Sequence, residues 1–300
     1  MSETVQTIEG GKAWYRCSNG PMVLGEAPIY RANDSTLHWV DALKEPPELH
    51  ILHIDPDTDA PKGEARVLVL EDSVTVHYFR KGVPRSYICA YYGGVAFMDE
   101  KTGKLEIVKE IIPKEERGER RFNDGGVDAK GRFWLAEIDK KAMVYGAGNL
   151  PQSYGSPKGR LWRYDPDGSL HEMARQKMYA FDFDLENGSI SNRRTLADMA
   201  GTVGEPDGMV VDAAGNLYVS VYGTGRVMVF DPIAKHLKDI VFAGKAITCP
   251  AWGGKDNDTL FITSAREGTG DETGLDEGGN IFSFKVGSGV KGMTKKEFGG

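Results

Sequence analysis

One stretch restricts the fold more than any other. Residues 205–232 read EPDGMVVDAAGNLYVSVYGTGRVMVFDP. Three runs rich in Val, Tyr, Phe and Met, at 209–212, 217–222 and 226–230, are separated by the turns Ala214-Gly215-Asn216 and Gly223-Thr224-Gly225 and stopped by Asp231-Pro232. β-branched and aromatic residues broken by Gly, Asn, Asp and Pro at this spacing predict antiparallel strands joined by short turns. Asp207 stands just before the first strand, immediately ahead of a glycine.

The unit recurs in degenerate form. Residues 24–41 give strand, polar turn, strand, and 48–57 add a third strand ending in Asp-Pro. Residues 122–138 repeat the pattern, with 159–168 as third strand after an insertion; residues 247–265 do so again, closed by 279–286. A weaker copy spans 75–103, and residues 65–70, 105–112 and 237–242 are candidate outer strands. Four-stranded meanders at a period in the forties predict an all-β fold, a β-propeller. Third strands end near Asp55, Asp99, Asp165, Asp184, Asp231 and Lys285, which predicts a six-bladed propeller occupying residues 1–300 as one domain. Residues 11–16 are expected to supply the strand that closes the last blade, since a closed ring leaves no exposed ladder.

One interval is too short. Between Asp165 and Asp184 there is room for an outer strand at 169–176 and a third strand at 177–183 only. The fourth blade is therefore predicted to lack its two inner strands, with the gap at Gln176-Lys177.

Composition removes several function classes. The net charge of −7, without a Lys- or Arg-rich block, argues against nucleic acid and anionic membranes as partners. No run approaches the length of a membrane span, and the first residues lack an apolar core of a signal peptide. Three widely spaced cysteines, Cys17, Cys89 and Cys249, argue against a disulfide framework and for a reducing, cytoplasmic compartment. The six histidines are scattered and read as structural; His50 and His53, three apart on one strand, are expected to face opposite sides.

Chemistry is expected where inner strands begin, because in a propeller these starts converge on one mouth of the central channel. The starts carry Glu26, Asn123 and Asp207, together with the segment 247–250. Carboxylates and an amide gathered there would be costly to bury unpaired, and a hard divalent cation with oxygen ligands would offset that cost. The alternative is that Asn123 and Asp207 only cap tight turns beside glycine.

The motifs GEAPIY, RFNDGGVDAKGRFW, PDGMVVDAAGNLYVSVYGTGRVMVFDP and TCPAWGGKDNDTLFITSAR resemble the SMP-30/gluconolactonase family, also called the regucalcin family. The resemblance runs from about residue 25 almost to the C-terminus. It implies a six-bladed propeller with a divalent metal in its channel that hydrolyses sugar lactones. Glu26 and Asp207 would be metal ligands, Asn123 a ligand or substrate contact, and Arg121 a group binding substrate hydroxyls. The cofactor would be Ca²⁺ or Zn²⁺, with Mn²⁺ or Mg²⁺ also compatible, and the substrate a small-molecule lactone. Water would attack a metal-polarised carbonyl with Asp207 as general base. The chain departs from the family in its fourth blade, where an inner strand beginning Asn-Gly normally supplies a further ligand. Asn187-Gly188 sits in a later turn and does not replace it, and Glu137, on the second strand of its unit, is expected to point away from the channel.

Other signals are weak. Gly253-Gly254-Lys255 lacks the spacing of a phosphate loop, and there is no G-x-S-x-G elbow. The acidic residues 267–277 lack the ligand order of an EF-hand. Trp39, Trp134, Trp162 and Tyr218 lie on strands and read as packing between blades. The missing ligand keeps two alternatives open: an impaired propeller that binds a ligand or regulates, and a hydrolase of another ester or organophosphate.

Overall fold

The computed structural model describes residues 5–140, 143–145, 151–154, 159–175, 179–195, 204–266, 276–287 and 289–300. The chain divides into two compact units, one of Met1–Val69 with Thr202–Lys295, the other of Leu70–Gly201 with Lys296–Gly300.

The first unit holds three sheets. Strands Gly25–Arg31, Thr36–Asp41, Glu48–His53 and Arg66–Val69 form an antiparallel meander. Glu205–Val211, Leu217–Tyr222, Arg226–Phe230 and His236–Phe242 form a second, and Ala246–Gly253, Thr259–Ala265 and Phe282–Lys285 a third. Thr36–Asp41 and Thr259–Ala265 are buried along their whole length, as strands covered on both faces must be. Trp39 and Tyr218 are fully buried core residues, Tyr218 set edge-on against Trp252 with ring centroids 5.0 Å apart. His50 is buried and stacked on Trp39 while His53 is exposed, the opposition that their spacing predicts.

The second unit holds the meander Val74–Phe79, Ser86–Tyr91, Gly94–Asp99, Leu105–Glu110, and a further sheet of Arg120–Val127, Phe133–Asp139, Arg160–Tyr164 and Leu170–Arg175. Met143–Tyr145 and Pro151–Tyr154 pair within the insertion of the latter, and Tyr179–Phe183 pairs with Ile190–Thr195. Phe298, from the last residues of the chain, is buried against Phe97 and stacked on Tyr164.

Among the described residues there are thus five sheets of three to five strands, where six blades are expected, and two separate strand pairs. The copy at 75–103 is weak in sequence yet complete in structure. The junction Gln176-Lys177 and most of the acidic stretch 267–277 lie outside the described residues. Of that stretch, Asp276 accepts hydrogen bonds from the backbone of Lys245 and Gly278, and Glu277 from the backbone of Ala13 and from Arg16.

The N-terminal expectation needs correction. The regular strand is Gln6–Gly11, and it pairs in parallel with the outer strand His236–Phe242, giving that sheet five strands. Gly10 permits this approach, since any side chain there would collide with the Phe242 ring. Residues 11–16 add no regular strand to the last sheet; Tyr15 bridges to Ile281, with the Trp14 and Tyr15 N–H groups donating to the Ile281 carbonyl.

The aspartates that punctuate the sequence have a common task. Asp55 Oδ1 accepts from the backbone of Asp57 and Thr58 and from the Thr58 hydroxyl, and Asp99 does the same with Lys101 and Thr102. Between inner and second strands the turns VDAKGRFW and VDAAGNLY are built alike. Asp128 Oδ1 accepts from the backbone of Lys130 and Arg132, and Asp212 Oδ1 from that of Ala214 and Asn216. Asp128 Oδ2 goes further, accepting from Arg132 Nε at 2.7 Å and Trp134 Nε1 at 2.9 Å. Burial alone would raise the Asp128 carboxyl, but the bonds from Trp134 and Arg132 outweigh it and hold the group below its ordinary value.

A carboxyl depressed by folding stabilises the protein above its unfolded value, about 3.9, and this contribution disappears as pH falls through the folded value. Asp128→Ala is expected to cost about 2 kcal/mol near neutrality by orphaning the indole and guanidinium donors. Thermal melts at pH 7 and pH 3 check it: the wild-type advantage over the variant should shrink at the lower pH.

Candidate functional site

The inner strands share an irregularity that sequence alternation alone does not reveal. In Gly25–Arg31, Glu26 pairs with Val40 and the next pair is Ile29 with His38, so Ala27 and Pro28 oppose Trp39 alone. The same one-residue excess lies between Phe122 and Gly125, between Pro206 and Met209, and between Ile247 and Pro250. These are β-bulges, which bend a strand and re-aim the side chains within it. Glu26 opens the first, Asn123 and Asp207 lie inside theirs, and Thr248-Cys249 occupy the fourth. Asn123 and Asp207 therefore belong to strands; the turn-capping aspartates are Asp128 and Asp212, five residues further on.

In the first unit the strand Ala246–Gly253 packs against both Gly25–Arg31 and Glu205–Val211. Glu26, half-buried, is held on both flanks. Asp41 accepts from Val23 N at 3.0 Å and Leu24 N at 2.9 Å, and the Gly25 carbonyl lies 2.6 Å from the Thr248 hydroxyl. Ala27, next in the bulge, has φ of +51°, a left-handed conformation that a non-glycine residue adopts only under constraint. Asp207, also half-buried, is followed by Gly208, which lies directly on Cys249; a Cβ at Gly208 would fall 2.5 Å from the cysteine sulfur. Glu205 begins the same strand half-buried, and burial pushes its carboxyl up to about 7. Nothing in the sequence marks Glu205 or Thr248 beyond their position at an inner-strand start.

In the second unit Arg121 Nη1 donates to Asn123 Oδ1 at 2.9 Å and to the Phe122 carbonyl at 3.0 Å. The amide oxygen of Asn123 is thereby engaged by the Arg121 guanidinium. Glu137 is buried and fully used: Oε2 accepts from Arg120 Nη1 at 2.8 Å and Arg160 Nε at 3.2 Å, and Oε1 from Trp162 Nε1 at 2.8 Å. It is a structural anion, as its place on the second strand predicts.

Glu26 and Asp207 offer hard oxygen donors. Among the described residues no group of three or more His, Cys, Asp and Glu gathers, and Cys17, Cys89 and Cys249 are buried thiols. Such a donor set fits Ca²⁺, Mg²⁺ or Mn²⁺ sharing its shell with water and substrate oxygens better than Zn²⁺, which favours nitrogen and sulfur. No helix among the described residues is long and apolar enough to cross a membrane.

Repeated antiparallel meanders with bulged inner strands define an all-β propeller. A regucalcin of Agrobacterium tumefaciens, described as a calcium-binding protein, superposes with a TM-score of 0.80 at 23% identity, over 98% of this chain and 99% of its own. A family model for the SMP-30/Gluconolactonase/LRE-like region matches residues 24–266, and the chain belongs to that family. Regucalcin of Danio rerio is 30% identical over 296 residues, covering 92% of this chain and 95% of its own. A 6-deoxy-6-sulfogluconolactonase of Pseudomonas putida is 30% identical over 302 residues, covering 93% and 96%.

Replacing Glu137 by Leu leaves Arg120 and Arg160 facing a buried apolar group. It should cost about 3 kcal/mol, as breaking a buried ion pair does, without altering metal content. Denaturant titration and elemental analysis of the same preparation check both halves.

Proposed function

We propose that this protein is a divalent-metal-dependent hydrolase of sugar lactones, with Glu26 and Asp207 as metal ligands. The observation that carries this reading is the placement of both carboxylates at bulges on two inner strands that pack on a common third. Membership of the family supports it, as does similarity to a sulfogluconolactonase. The oxygen donors favour Ca²⁺, Mg²⁺ or Mn²⁺ over Zn²⁺, and of these Ca²⁺ agrees with the relative described as calcium-binding.

When bound, the cation supplies positive charge against the lactone carbonyl oxygen. Asp207 would take the proton of the attacking water, and Glu26 would help hold the cation. Within the second unit, Arg121 and Asn123, hydrogen-bonded to each other, are the candidates for binding hydroxyl groups.

We read Tyr179–Phe183 and Ile190–Thr195 as the outer half of a fourth blade in a six-bladed ring, short of its two inner strands. On that reading a ligand that the family draws from the fourth blade is missing, and metal affinity is low. The three buried free thiols suit a reducing, cytoplasmic setting.

The purified protein should hydrolyse an aldonolactone only with millimolar Ca²⁺ or another divalent cation, and Asp207→Ala should lower the rate at least a hundredfold. A pH-stat assay across Ca²⁺, Mg²⁺, Mn²⁺ and Zn²⁺ measures this. Equal rates with and without metal, or none with any, would overturn the proposal.

A further inference from the structure

The bulge between the two carboxylate-bearing strands contains no charge, yet both of its side chains face the backbone that carries a carboxylate. Thr248 is completely buried. Its Oγ1 lies 2.6 Å from the Gly25 carbonyl oxygen and 2.9 Å from Thr263 Oγ1, and Thr263 Oγ1 in turn lies 3.1 Å from the Cys249 carbonyl. A hydroxyl has one proton to give. The shorter contact assigns that of Thr248 to Gly25, the residue before Glu26, and Thr263 then has one proton to give to Thr248 Oγ1 or to the Cys249 carbonyl. Cys249, the second bulge residue, is buried against Gly208, the residue after Asp207. A Cβ on Gly208 would sit 2.8 Å from the Cys249 Cα, so the two backbones are already at closest approach.

We infer that Thr248 and Cys249 form a spacer that fixes the distance between Glu26 and Asp207, with the Thr248 hydroxyl as the positioning group. One side of the dipeptide ties down the backbone of Glu26 by a hydrogen bond, and the other sets the backbone of Asp207 by contact. Thr263 locks the spacer by donating its one proton to the Thr248 hydroxyl or the Cys249 carbonyl, both within the dipeptide. A cation bound by few ligands depends strongly on such positioning, because it cannot recover a misplaced donor from a redundant set. The inference rests on Glu26 and Asp207 being cation ligands only for its functional consequence; the spacing itself is a property of the protein.

Thr248→Val keeps the shape and removes the hydroxyl, Thr248→Ser restores it, and Cys249→Ala removes only the sulfur contact with Gly208. Calcium titrated into the full-length protein by calorimetry should bind Thr248→Val at least tenfold more weakly than wild type, Thr248→Ser within threefold, and Cys249→Ala several-fold more weakly. A purely structural role for Thr248 would lower the melting temperature of Thr248→Val with calcium affinity unchanged, and that result overturns the inference. If the wild type binds no divalent cation, the lactonase reading fails, and metal-free crystal structures then decide the spacer. A Glu26–Asp207 Cα separation displaced by about 0.5 Å or more in Thr248→Val and restored in Thr248→Ser supports it; an unchanged separation overturns it.

Discussion

Among the described residues five inner strands carry one residue more than the partner they pair with, four of them with the surplus spread over the same three-residue step. That surplus is the constraint on which the rest depends. A regular strand alternates its side chains between two faces, each committed to packing against a neighbour. A bulge interrupts the alternation and turns one or two side chains out of both faces while the ladder on either side continues. Polar residues can therefore stand at the start of otherwise buried strands without entering the core. In the first unit this device presents Glu26 and Asp207. In the second it presents Asn123, which is drawn to Arg121, its neighbour two residues back along the strand.

Much of this order is readable in the amino-acid sequence because turns are written more strictly than strands. Asp55, Asp99 and Asp231 each cap the turn after a third strand, and Asp184 the turn after Tyr179–Phe183, by local hydrogen bonds that few other side chains could make. Their spacing survives where the apolar runs between them drift, so strands could be placed even in the faint copy at 75–103. The contrast between His50 and His53, and the inward fate of Trp39 and Tyr218, followed from period-two alternation in the same way.

What could not be read depends on contacts between residues far apart in the chain. No local pattern says that Glu137 will meet Arg120, Arg160 and Trp162 at once, although its place on a second strand says it will point away from an inner-strand site. Bulges are equally hidden, since one extra residue in E-A-P-I or P-D-G-M looks like ordinary variation until the partner strand is known. Thr248 is the sharpest case. Its segment stood out as an inner-strand start, but its hydroxyl acquires meaning only from a carbonyl 223 positions earlier.

The parallel pairing of Gln6–Gly11 with His236–Phe242 carries a consequence for how the protein comes into being. Gln6 meets Lys238, so the first ordered strand leaves the ribosome more than two hundred residues before its partner exists. Contacts this distant in the chain close slowly, because the entropy of a very large loop must be overcome before the ladder returns any stabilisation. Gln6–Gly11 thus remains without its ladder partner through most of synthesis, as an extended segment that another strand edge could capture. The earlier-made of the two strands is among the last to find its place, and its pairing covers the edge of His236–Phe242 only once that strand has been made.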